Sequence, residues 1–223
     1  MNASSVESII DELMKEDDGV NPNSRFPVEQ QLAAKREDYR RFLELKPFKD
    51  RIILAVATIE QEMQTLLPEE EYESLIAELA HAGKILESTP EKQGSELGVT
   101  TTTLDKLYEF AHKAMKINRM DEAIAILTLL TTLDRSWFRH WFLLGVALQE
   151  QKHYKDALEA YEMANTISEE APLAHLFSAE CYYNLADMQK ASAHLHKGKG
   201  IAQHQSNNLE WTQIIDELET KIK

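Results

Sequence analysis

The sequence predicts an all-α protein whose second half is a superhelix of three helical hairpins closed by a capping helix. Two observations carry this. Chain breakers are sparse, with seven glycines and six prolines in 223 residues, and apolar residues recur at spacings of three and four rather than two. From Leu104 onward the chain also nearly repeats itself every 34 residues. Ala123, Ala157 and Ala191 are so spaced, as are the small residues Ala111, Gly145 and Ala179. Two sets of larger residues, Met120, Tyr154 and Met188, and Leu127, Tyr161 and Leu195, keep the same interval.

A period of about 34 residues is the tetratricopeptide signature. Each unit is two antiparallel helices. Small residues let the backbones approach, and large ones fill the space between units. One hairpin cannot bury its apolar face alone, so three or more stack. The units run 104–137, 138–171 and 172–205. The middle one fits best, with Trp141, Leu144, Gly145, Leu148, Tyr154, Ala157, Tyr161 and Ala164. In the outer two, Leu107 and His175 replace the tryptophan. Asn118, Lys152 and Ala186 stand at the turn that often carries glycine. A final amphipathic helix over 207–222, with Leu209, Trp211, Ile214, Ile215, Leu218 and Ile222 on one face, would cover the last open hairpin.

The N-terminal region, residues 1–100, also reads as helical. Val6, Ile9, Ile10, Leu13 and Met14 form one stripe, with Ser4 or Ser5 as its cap. Residues 19–27 read as a loop, with Asn21-Pro22 and Phe26-Pro27 biased away from helix. A helix from Val28 to about Leu45 would bury Leu32, Tyr39, Phe42 and Leu43, and Pro47 punctuates it. Ile52, Val56, Ile59, Met63 and Leu66 form a third stripe. Pro68 starts a further helix, with Glu69, Glu70 and Glu71 in its first turn and Tyr72, Leu75, Ile76, Leu79 and Leu86 on its apolar face. Residues 88–101 hold Pro90, Gly94 and Gly98 and few apolar groups, which predicts a linker and a domain boundary, with the repeat domain over 102–223.

Composition narrows the function. A formal net charge of −14, with pI about 5.0, repels phosphate backbones and anionic lipid, which argues against nucleic-acid partners and membrane surfaces. The single cysteine, Cys181, cannot form an internal disulfide, which fits a reducing compartment. No apolar run is long enough to insert stably in a bilayer, and Met1–Glu16 has none of the features of a secretory signal, so a cytoplasmic location is expected.

The concave face of such a stack falls at the second, fifth, ninth and twelfth positions of each unit. Those positions supply the expected peptide-binding residues: Tyr108, His112 and Met115; Arg139, Phe142, Val146 and Gln149; Leu173, Leu176 and Tyr183. Asp105 and Glu180 occupy the remaining two. An apolar stripe of this size usually marks a partner site, here for an extended segment. Arg139, Gln149 and His112 could bond its backbone. The alternative is that these side chains pack against the protein's own N-terminal helices. A clamp for a terminal carboxylate, built of Lys, Arg and Asn, is not supported by mostly apolar positions and Glu180.

The run Thr103-Leu104-Asp105-Lys106-Leu107-Tyr108, with Ala111, Met120-Asp121-Glu122-Ala123 and Leu133-Asp134, resembles the class II type III secretion chaperones of the LcrH/SycD type. So do Leu143-Leu144-Gly145, Tyr154-Lys155-Asp156-Ala157 and Ala179-Glu180-Cys181-Tyr182. The resemblance spans residues 101–223. It implies a cytoplasmic bacterial chaperone that holds hydrophobic translocator proteins soluble by gripping an extended segment in the groove, and it matches Tyr108, Met115, Phe142 and Val146 to groove-lining positions. Met115 stands where the family often has an aromatic. The first hundred residues have no counterpart in the family's short N-terminal arm. Homodimerisation, covering the groove and binding a second partner are all open to them.

No catalytic constellation, cofactor motif or metal-ligand spacing stands out. His194 and His196 are two apart and do not share a helix face. There is no Cys-x-x-Cys or His-Glu-x-x-His. Lys197-Gly198-Lys199-Gly200 lacks the spacing of a phosphate loop, and its glycines read as ending the last repeat helix or easing its packing. An enzyme is not expected. Beside the chaperone stands a second class of function, an adaptor linking folded components of a secretion or other assembly.

Overall fold

The structure is a computed structural model. It describes Asp11, Met14, residues 27–204 and residues 209–222; for residues 38–45, 209 and 210 only the backbone is described. The expected stripe at Val6–Leu13, the loop at 19–26 and the side chains of Tyr39, Phe42, Leu43 and Leu209 lie outside the described residues. Two compact units are present, Met1–Ile53 and Leu54–Lys223.

Helix α1 spans Val28–Thr58 and runs through Pro47. The expected break at Pro47 is absent. Proline removes one N–H and crowds the carbonyl four residues back, but its fixed φ is itself helical. At Ile59–Met63 the chain widens into a π-helical turn, followed by one α-turn, Gln64–Leu66. Of the third predicted stripe, Ile59 and Met63 are buried while Val56 and Leu66 are exposed. The face is centred instead on Ala55 and Ile59, which sets Val56 about 100° off it. Leu66 is the last helical residue before Leu67 turns extended.

Helix α2 spans Glu69–Ser88 and buries Leu75 and Ala82. Residues 88–101, expected as a linker, hold a 3-10 turn, Gly94–Leu97, with Leu97 and Val99 buried. Polar links tie the segment from residue 59 to residue 99 to the first hairpin. Glu62 pairs with Arg119, Nη1 to Oε2 at 2.6 Å, and Glu71 pairs with Lys106 at 2.7 Å. Glu78 accepts the Thr100 N–H at 2.8 Å. The Arg119 guanidinium holds the Glu62 carboxyl below its ordinary range. The compact unit that contains the repeats therefore begins at Leu54, well before the first repeat.

Three hairpins follow: α3 (Thr101–Lys116) with α4 (Met120–Leu133), α5 (Phe138–Glu150) with α6 (Tyr154–Ile167), and α7 (Pro172–Asn184) with α8 (Met188–Gln203). The six small repeat positions are all buried: Ala111, Gly145 and Ala179 on the first helices, Ala123, Ala157 and Ala191 on the second. Each hairpin turns in the same way. Asn118, Lys152 and Ala186 adopt φ of 61°, 62° and 60°. The N–H of the next residue then reaches back five positions, Arg119 to Ala114, His153 to Leu148 and Asp187 to Tyr182, each at 2.9 Å. This is the left-handed helix end that glycine favours, made three times without one.

Helix α4 is buried all round, from Ala123 through Thr131. A helix apolar on every side needs neighbours on every side. Helices α3 and α5 supply two of them. At the other end α9 (Leu209–Lys221) caps the stack. Its Ile215 and Leu218 join Leu176, Ala179, Leu195 and Ala202 in one cluster, with Trp211, Ile214 and Ile222 against it. Gly198 lies inside α8, not at its end: a Cβ there would approach Leu176 Cδ2 to 2.8 Å, so glycine permits the close packing of α7 on α8. No helix among the described residues is long and apolar enough to cross a membrane.

Candidate functional site: the face of the first helices

Helices α3, α5 and α7 pack side by side as the first helices of successive hairpins. Of the ten expected binding residues, His112 is exposed, and Tyr108, Met115, Arg139, Phe142, Val146, Gln149, Leu173 and Tyr183 are half-buried. Leu176 is the exception. It is fully buried in the cluster under α8 and α9 and offers no surface to a ligand. Repeat spacing placed it on the open face, but α9 covers that end of the third hairpin.

The half-buried residues fall into two groups. In the first, Tyr108 stacks on His112 with ring centroids 6.4 Å apart, and the Arg139 guanidinium lies 4.8 Å from the Tyr108 ring and 4.4 Å from the Trp137 ring. Arg139 also forms a salt bridge with Asp105, its counterpart one repeat earlier. In the second, Phe142 stacks on Phe138 at 5.5 Å and meets Phe177 edge-on at 5.4 Å and Tyr161 at 5.8 Å. Such pairs hold the rings in fixed orientations. Trp137, Phe138 and Phe177 were not expected at the site. Trp137 precedes α5, and Phe177 falls outside the second-fifth-ninth-twelfth pattern. The i, i+4 spacing of Phe138 and Phe142 was the one available signal.

Two of the three expected backbone-binding groups are already engaged. Gln149 Oε1 accepts from the Tyr161 hydroxyl at 2.9 Å and from Cys181 at 3.2 Å, and Gln149 Nε2 donates to Glu180 at 2.9 Å. Lys221 of α9 donates to the other Glu180 oxygen at 2.9 Å. The network ties α5, α6, α7 and α9 together and leaves Gln149 one N–H to offer. Arg139 is held by Asp105 and the two rings, and its buried Nε has no partner. His112 is the exposed one of the three.

Two groups of this network are held in their neutral forms. Burial pushes the Cys181 thiol up to about 12, with Glu180 adding to the shift, so the thiol stays protonated and unreactive. Burial also pushes the Tyr161 phenol far above its ordinary value. The surface can bind by apolar contact, ring stacking and shape.

No protein-family profile matches the chain, and no curated protein matches it in sequence. Solved structures do match. Pseudomonas aeruginosa PcrH is 22% identical with a TM-score of 0.51 over 58% of this chain and 93% of PcrH. PcrH in complex with the chaperone binding region of PopD is 24% identical, with a TM-score of 0.53 over 56% of this chain and 94% of PcrH. The Yersinia enterocolitica secretion chaperone SycD, in complex with a peptide of the translocator YopD, is 20% identical, with a TM-score of 0.53 over 55% of this chain and 94% of SycD. At these identities the likeness is one of fold: the chain has the fold of the type III secretion translocator chaperones.

Proposed function

We propose that this protein is a cytoplasmic bacterial chaperone of type III secretion. It binds an extended segment of a hydrophobic translocator along α3, α5 and α7 and keeps that client soluble until export. The observation that carries the reading is the row of half-exposed aromatic and apolar side chains on the first helices, Tyr108, Met115, Phe142 and Val146, in a fold whose solved examples include complexes with translocator peptides. Apolar side chains left half-exposed on a strongly acidic, soluble chain suit a client that is apolar and extended. Tyr108 and Phe142 are the anchors, with Met115 and Val146 between and beyond them. His112 and the remaining Gln149 N–H reach the client backbone, and Leu173 and Tyr183 extend the surface onto α7. Repeats 104–137, 138–171 and 172–205 form the binding module, and the protein acts without catalysis.

Co-expression with an apolar translocator tests this. The wild type should yield a soluble complex, and Tyr108→Glu with Phe142→Glu should lose it. Because Phe142 packs on Phe138, Phe177 and Tyr161, the double variant is compared with Met115→Glu, on α3 and not a member of that ring cluster, and both are checked for an intact helical melt. A soluble complex that survives all three changes in folded protein would overturn the assignment. Capture of folded, independently soluble partners alone would point to the adaptor role.

A further inference from the structure

On the side of α7 turned away from the proposed groove, α6, α7 and α8 enclose a cleft of about 350 Å³. His175 and His194 face each other across it, Nδ1 to Nδ1, at 3.5 Å. We propose that these two histidines form a binding site for a divalent transition-metal ion of the zinc class, with Glu162 as a further ligand.

The geometry is the first argument. A tetrahedral zinc with bonds of about 2.0–2.1 Å sets two imidazole nitrogens about 3.3–3.4 Å apart. The two Nδ1 atoms are already at that spacing without any backbone movement, and they come from different helices, nineteen residues apart in the chain. The surroundings are the second. Glu162 of α6 lines the same cleft, and its charge acts on His194. It is exposed, so its side chain can turn toward the pair. Among the described residues no group of three ligand side chains is already assembled, so the site is two fixed histidines plus one mobile carboxylate, with water completing the shell. Glu169 lines the cleft as well, and the positive charges of Lys197 and Lys190 act on His194 against the carboxylates.

Hydrogen bonding is the third argument. A metal on Nδ1 places the ring proton on Nε2. His175 Nε2 is buried with no partner, and Asn165 Oδ1, in the same cleft, is a buried acceptor with no donor. The tautomer imposed by the metal gives the cleft a donor and an acceptor that are not yet bonded to each other. His175 also stands where the middle repeat has Trp141, so the third hairpin has exchanged a large apolar residue for a ligand. A bound ion would join α6, α7 and α8 and stabilise that hairpin.

Chelator-treated full-length protein is titrated with Zn²⁺ by calorimetry, and with Co²⁺ while its visible d–d absorption is followed. One ion per chain is expected, with tetrahedral Co²⁺ bands and a melting temperature that rises with Zn²⁺ and falls again with chelator. His194→Gln should raise Kd at least tenfold and Glu162→Gln by less. His196→Gln, on an exposed position of the same helix, should leave it unchanged. His175→Gln should match His194→Gln, judged on protein whose melt shows it folded. The proposal is overturned if the wild type binds no stoichiometric ion, which leaves the pair as an imidazole–imidazole hydrogen bond. It is equally overturned if His194→Gln binds as the wild type does.

Discussion

The Tyr161 ring occupies the space that a side chain at residue 145 would need: a Cβ on Gly145 would lie 2.4 Å from Tyr161 Cε1 and 2.5 Å from Cδ1. The equivalent pairs in the other hairpins are Ala111 with Leu127 and Ala179 with Leu195. The middle repeat has thus made one partner smaller and the other larger. Gly145→Ala should gain about 1 kcal/mol in helix propensity but force the ring aside, at an overpacking cost at or above the upper end of about 1–3 kcal/mol. A net loss of about 2 kcal/mol by urea denaturation is expected. Adding Tyr161→Leu recreates the pairing of the other two hairpins and should recover at least half of that loss. If the two changes simply add, the size exchange is not what couples these residues.

The turn residues give a second test. Ala186 holds φ of 60° with no side-chain group to favour it. The left-handed conformation costs an L-residue about 1–2 kcal/mol, which glycine avoids at a smaller entropic cost. Ala186→Gly should therefore raise stability by about 0.5–1 kcal/mol, and Lys152→Gly by a similar amount. Asn118→Gly should gain less, since asparagine tolerates this region. Thermal and urea melts would show it, and a loss on Ala186→Gly would contradict the account.

Acid should weaken the junction of the first two hairpins through His140. It is fully buried, and it stacks on Trp137 at 5.7 Å. Burial, helped by the Arg139 charge, pulls it down to about 4, against a smaller opposing pull from Asp134 and Asp105. The folded value lies below the ordinary one of about 6.5. His140 therefore costs nothing above pH 6.5, and stability falls as pH drops from 6.5 toward 4, by up to about 3 kcal/mol. His140→Leu should reduce the difference in unfolding free energy between pH 7 and pH 4.5. An unchanged difference would remove His140 as a cause.

Leu176 separates packing from binding. Its complete burial in the cluster with Leu195, Ile215 and Leu218 predicts that Leu176→Ala costs about 2–5 kcal/mol. At a temperature where the variant is still folded, client affinity should match the wild type. A selective loss of affinity would return Leu176 to the binding surface.

Much of this was legible in the chain. The small positions at 111, 145 and 179 and at 123, 157 and 191 are buried as the period implied, because a helical register carries a residue to the same place in every unit. The three turns at 118, 152 and 186 likewise share one conformation. Where one helix meets a neighbour distant in sequence, the reading gave way. Pro47 did not end α1, and the buried face of the 52–66 stretch is centred on Ala55 and Ile59, which leaves Val56 exposed.

At the candidate site the division is the same. Repeat spacing by itself determined which side chains the first helices of a superhelix would present in a row. Their actual freedom was decided by partners that periodicity does not list. Gln149 is taken by Tyr161, Cys181 and Glu180, Arg139 by Asp105 and two rings, and Leu176 by the capping helix. His175 and His194, nineteen residues apart in the sequence, face each other only because α7 folds back on α8. Local periodicity follows from helix geometry, which every residue carries with it; which groups are already satisfied depends on contacts between segments far apart, and those exist only once the chain has packed.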